Sequence, residues 1–198
     1  MGKNSIWHAC VFAAGLCFPA GTVAQSDHAF LAPHAGGGFE TRHNLPLIIE
    51  ADTTLNATAI TNRSAVFNDV PFDISLAAFI AADQAVMVHA ERVADGSGAA
   101  NYTRFEASSW PMDGFRHKPL RCFDVDAEII AEEHDLNWLR DRGFDPLGPV
   151  WIEQYFLSDT RFNNEVVISL LVRSTSCDTE PVATLDALRA TTTVRPHD

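Results

Sequence analysis

The chain has 198 residues, 46% of them apolar and 10% aromatic, which is the composition of one ordinary globular unit and not of a disordered or fibrous chain. Its 14 Lys and Arg against 26 Asp and Glu give a formal charge of -12, which repels a nucleic-acid backbone and an anionic membrane surface alike. No nucleic-acid partner is expected, and no integral membrane span is expected in the mature chain, because no apolar run reaches the roughly 20 residues a spanning helix needs.

Residues 1–24 read as a secretory signal peptide: Lys3, an apolar stretch over 6–18, then Pro19, Gly21 and the small residues Thr22 and Ala24. A periplasmic or secreted location follows as an expectation. Loss of the leader would leave 13 basic against 26 acidic residues, with Lys118 the one remaining lysine. It would also remove Cys10 and Cys17, so that Cys122 and Cys177 are predicted to form a disulfide in an oxidising compartment. No Cys-x-x-Cys spacing or basic run marks either sulfur as a reactive thiol.

Residues 25–44 carry Pro33, Gly36, Gly37 and Gly38 with little apolar periodicity and are predicted to be a flexible lead-in. A single α+β domain is expected over 45–177. Leu47, Ile48 and Ile49 read as a short strand, and Phe72, Ile74, Leu76, Ala78 and Ile80 alternate as a half-buried strand does. After a turn at Asp83 and Gln84, Val86, Val88 and Ala90 share one face and Met87, His89 and Glu91 the other. The Ala-rich stretch over 76–94 also matches helical spacing, but its β-branched residues and regular alternation favour a hairpin. Residues 94–98 are a turn by composition. Residues 101–120 form a long loop whose Tyr102, Phe105, Trp110 and Phe115 are expected to fold back onto the core.

One main helix is predicted over about 124–142, with Asp124 as its cap, Asp126 and Glu128 at its start, Arg140 and Arg142 at its end, and Gly143 and Pro146 beyond. Residues 150–157 and 165–174 are strands of a C-terminal β-hairpin. In the second, Val166, Ile168, Leu170 and Val172 fill one face while Val167 and Leu171 make the other apolar, the pattern of a central strand covered on both sides. A bond from Cys177 to Cys122 is expected to pin the helix N-terminus to the sheet. Residues 178–198 are predicted to be a tail with a short helix near 182–188 and a poorly ordered Thr-rich end. The expected fold class is therefore α+β, a mainly antiparallel sheet with one helix packed on it and one disulfide.

The search for chemistry finds no strong motif. His-Glu-x-x-His is absent, and its inverted form fails around Glu133 and His134 because Ile130 stands at the first His position. His89, Glu91 and His134 make a conceivable three-ligand set, but no metal is assigned, since isolated half-buried histidines usually pack and hydrogen-bond. Ser97 lies in Gly96-Ser97-Gly98, which lacks the longer frame of a nucleophile elbow. Glu128, Glu132, Glu133 and Asp135 read as a solvated helix face, and Glu153 and Glu165 as solvated positions of the last hairpin. No glycine loop suits a phosphate, and no cofactor is expected.

The expected function is that of a small exported soluble protein, non-enzymatic, which binds a small molecule or an envelope protein. Its candidate ligand-binding residues are Tyr102, Phe105, Trp110 and Phe115 with Trp151 and Tyr155, because aromatic side chains anchor such contacts. One alternative is a small exported hydrolase using His89, Glu91, Ser97 and His134. Another is a structural envelope component that assembles through an exposed strand edge.

Overall fold

The computed structural model describes residues 28–197. The signal peptide expected at 1–24 lies outside the described residues. Three short strands come first: β1 (Leu31–Pro33), β2 (Phe39–Thr41) and β3 (Leu47–Glu50). They are followed by β4 (Asn56–Ala57), β5 (Thr61–Phe67), β6 (Val70–Ile80), β7 (Gln84–Val93), β8 (Glu106–Ala107) and β9 (Arg116–Val125). Two helices, α1 (Ala127–Glu132) and α2 (His134–Arg140), precede the long hairpin of β10 (Gly148–Ser158) and β11 (Asn164–Arg173). The chain then forms α3 (Val182–Thr191) and β12 (Thr193–Pro196).

The strands form two antiparallel sheets, one of eight strands in the order β4-β6-β7-β11-β10-β9-β8, with β5 also paired to β6, and one of four in the order β1-β2-β3-β12. The period of two along each long strand sends alternate residues to opposite faces, and both faces of the large sheet are apolar. Ile74, Leu76, Met87, Val167 and Phe156 join Ile130, Leu136 and Leu139 under α1 and α2. Phe79, Val86, Val88, Ile168 and Leu170 join Phe39, Ile49, Leu185 and Val194 under the small sheet and α3. The molecule is thus three layers: helices, large sheet, and small sheet with α3. The predicted hairpin of β6 and β7 and the predicted central position of β11 agree with this arrangement.

The single helix expected over 124–142 is instead two, within a total of three. Strand β9 continues to Val125, and Asp126, not Asp124, caps α1 by accepting from the Ile129 N–H at 2.8 Å. At Glu133 the backbone turns extended, with φ -98 and ψ 101. The break has a geometric cause: at about 100° per residue, Leu139 would lie roughly 180° from Ile130 on one continuous helix, so both could not face the sheet. Rephasing at Glu133 buries Ile130, Leu136 and Leu139 together and turns Asp135 inward as well.

The short helix expected near 182–188 is present as α3, whereas the expected lead-in and Thr-rich end differ from the structure. Phe30, Leu31 and Phe39 are buried, Phe39 meeting Phe79 with ring centroids 4.9 Å apart, and Val194 of β12 pairs with Ile49 of β3. Strands of three and four residues carry too few alternations to register as periodic, yet their apolar side chains close the second face of the large sheet. Cys122 and Cys177 are bonded, with Cα atoms 5.5 Å apart. Cys122 lies within β9, opposite Trp151 of β10, so the bond ties the segment that follows β11 to β9 and does not hold a helix terminus.

Candidate functional site

The six aromatic residues expected to bind ligand divide between the two faces of the large sheet. On the helix side, Tyr102 and Phe105 stack on Phe156 with centroids 4.2 and 5.6 Å away, and the Arg104 guanidinium lies 4.7 Å over the Phe105 ring. On the other side, the edge of Trp110 meets Tyr155 at 4.5 Å, and Phe115 is buried in the same cluster. Adjacent residues of a strand point to opposite faces, so Tyr155 and Phe156 separate the two groups. Trp151 is buried, and its indole N–H donates to the Ser176 carbonyl at 3.3 Å.

Around Tyr155 the structure gathers three polar residues that the aromatic reading did not include: His117, Glu153 and Arg189. The His117 ring stacks on Tyr155 at 4.8 Å with its planes 19° apart, as the strand register of β9 on β10 requires, since His117 and Tyr155 are paired. His117 Nε2 is 2.7 Å from Glu153 Oε1. Arg189, on α3, donates from Nη2 to Glu153 Oε2, from Nε to the Tyr155 hydroxyl at 3.2 Å, and from Nη1 to Asp186 at 2.6 Å. The Trp110 indole N–H donates to the Arg189 carbonyl at 3.1 Å, tying the loop to α3. Burial, then the neighbouring Glu153 carboxylate, pushes the Tyr155 phenol up to about 12. Salt bridging and hydrogen bonding to Glu153, and then to Tyr155, hold Arg189 above its usual value against the effect of its own burial.

Access distinguishes the members of this cluster. The Glu153 side chain is 5% exposed, whereas those of His117 and Arg189 are 29% and 25% exposed. A fixed polar floor therefore carries partly exposed groups above it. Glu153 and Tyr155 at a spacing of two on β10 were the available sequence signal, since that spacing puts them on one face.

The second polar cluster lies on the helix side. His89 Nδ1 is 2.7 Å from Glu91 Oε1 and His89 Nε2 is 3.6 Å from Asp135 Oδ2. Arg63 of β5 donates to Asp135 at 3.0 Å, and His134 Nδ1 is 3.3 Å from the same carboxylate. His89, Glu91 and His134 are thus brought together, through Asp135. Ser97 is exposed, and its backbone N–H donates to Asp95 within its own turn. The expectation of solvated carboxylates holds for Glu128 and Glu132 but not for Asp135, Glu153 or Glu165, all buried. Register explains Glu165: it faces Glu91 directly across β11 and β7, beneath the helical layer.

Among the described residues no group of three or more His, Cys, Asp and Glu is arranged to hold a metal ion, and no helix is long and apolar enough to cross a membrane. No family model matches the chain, and comparisons with curated proteins and with solved structures return no significant match. The protein is a sheet-rich, antiparallel α+β protein with one disulfide among the described residues.

Proposed function

We propose that this is an exported, non-enzymatic binding protein of the periplasm or extracellular space, acting on a small molecule or an envelope protein through Trp110, His117 and Arg189. The observation that carries the reading is the preorganised cluster in which partly exposed His117 and Arg189 share the buried Glu153 and rest on Tyr155. Rigid, polar-tipped aromatic surfaces bind with little ordering cost. The disulfide is compatible with an oxidising compartment, and the leader-like residues 1–24 add to the case for export. Amide and indole NMR shifts recorded during a small-molecule screen test the site. Perturbations are expected at Trp110 and His117 and are expected to vanish in Trp110→Ala. Binders that shift only residues elsewhere on the protein would refute this placement.

A hydrolase reading draws on one observation, the chain of contacts from the 44% exposed His134 through Asp135 to His89 and Glu91. His89→Ala and His134→Ala variants assayed across a hydrolase panel decide it: turnover unchanged by both substitutions rules it out.

A further inference from the structure

Asp141 and Arg142 are neighbours in the sequence, opposite in charge, and not paired with each other. The cause is local. The Arg142 guanidinium lies 4.1 Å over the Trp138 ring, where Nη1 donates to the Trp138 carbonyl at 3.2 Å and Nη2 donates to the Thr61 hydroxyl at 3.1 Å. The Trp138 indole N–H donates to that same hydroxyl oxygen at 3.0 Å, so ring, hydroxyl and guanidinium form one linked unit between α2 and β5. Stacking engages the face of the guanidinium and none of its donors, and the two hydrogen bonds engage a minority of them. The remaining N–H groups therefore sit on a fixed, planar cation.

Asp141 follows the last turn of α2, and its side chain is 60% exposed. Its one ion pair among the described residues is a long contact, Oδ1 to Arg140 Nε at 3.9 Å. Burial lowers the Arg142 pKa and the charge of Asp141 opposes that, so carboxylate and guanidinium feel each other across a gap that neither closes. Both residues line an open depression of about 380 Å³, whose remaining lining, Asn56, Ala57, Thr58, Ala59 and Ile80, is uncharged. The depression thus presents one charge of each sign, close together and unjoined. A simple anion gains from Arg142 and is repelled by Asp141, and a simple cation meets the reverse. A ligand with both charges on adjoining atoms gains from each.

We propose that this depression is a binding site for a small zwitterion of the α-amino-acid type, its carboxylate on Arg142 and its ammonium on Asp141. Preorganisation favours the pairing, because a guanidinium already stacked and hydrogen-bonded loses little freedom when it takes up a carboxylate. Ala57, Ala59 and Ile80 offer a short apolar side chain a wall to rest on. The site is separate from the cluster at Trp110, which lies on the opposite side of the large sheet from Trp138.

Proton–nitrogen NMR of the protein titrated with L-alanine tests the proposal, with the Trp138 indole assigned from a Trp138→Phe spectrum. That indole shares the Thr61 hydroxyl with Arg142 and is expected to shift saturably at millimolar concentration, the affinity that exposed charge pairs allow. Acetate and methylammonium, each carrying one of the two charges, are expected to bind at least about threefold more weakly than L-alanine. Asp141→Asn separates a zwitterion site from an anion site. It is expected to weaken L-alanine at least about threefold while leaving acetate unchanged or strengthened, since for acetate only a repulsion is removed. Arg142→Gln is expected to weaken both, and circular dichroism verifies folding of each variant. Absence of a saturable Trp138 shift with L-alanine up to about 50 mM, including a shift confined to the Trp110 indole, overturns the proposal. So does acetate or methylammonium binding as tightly as L-alanine, or an affinity for L-alanine that either substitution leaves unchanged.

Discussion

His89 and Asp135 face each other across the boundary between β7 and α2, the imidazole Nε2 lying 3.6 Å from the carboxylate while Nδ1 lies 2.7 Å from Glu91. With a carboxylate at each ring nitrogen, the doubly protonated imidazolium is the form the site favours. Burial alone would lower the His89 pKa, but the charge of Asp135 and the hydrogen bond to Glu91 outweigh it and hold the group above 6.5. A raised pKa contributes stability that is complete below the unfolded-state value and is lost as pH rises through the folded one. Nitrogen NMR is expected to show the His89 imidazolium persisting to higher pH than that of an exposed histidine, with stability declining at more alkaline pH. A ring that deprotonates at lower pH than an exposed histidine would contradict this.

Arg63 and Asp135 form a buried pair between the edge strand and α2. Burial opposes ionisation of Asp135, but Arg63 and then His89 hold its carboxyl well below the usual range. The sign is opposite to that of His89: this contribution is present above ordinary carboxylate values and is lost as pH falls through the folded pKa. Asp135→Asn leaves Arg63 buried without its counter-charge and is expected to cost roughly 3 kcal/mol in urea denaturation. A cost below about 1 kcal/mol would mean that Arg63 reaches water once the pair is broken.

Tyr155 is one of two tyrosines in the chain and ionises only near 12, because burial and Glu153 disfavour phenolate. Ultraviolet titration of the folded protein should therefore show a late tyrosine component, and Tyr155→Phe should remove it. Persistence of that component in the variant would assign it to Tyr102.

Reduction of the Cys122–Cys177 bond opens a loop defined by a separation of 55 residues. The chain-entropy estimate for such a loop is about 4 kcal/mol, expected as a lower denaturation midpoint in the presence of reductant. An unchanged midpoint would indicate an unfolded state already held compact.

The legible parts of the sequence were those with long, regular alternation. Ile74 to Ile80 and Val166 to Val172 repeat every second residue over enough positions to mark long strands, and the two-sided apolar pattern of the latter placed β11 centrally. The helical break at Glu133 was not legible, because capping and charge signals report ends and are silent about rephasing that depends on a sheet beneath. The candidate site was half legible. Trp110, Phe115 and Tyr155 converge, whereas Tyr102 and Phe105 lie across the sheet, and Arg189 arrives from α3, far along the chain from both. Burial of Glu153 and Glu165 followed from layers that only tertiary structure supplies.

The pairing of β3 with β12 joins residues 47–50 to residues 193–196. During synthesis from the N-terminal end, the small sheet cannot be completed until almost the whole described chain has emerged. Until then the apolar underside of the large sheet, including Phe79 and Ile168, lacks part of its cover. A nascent chain in that state is open to chaperone capture, and the last strand to arrive acts as the closing clasp.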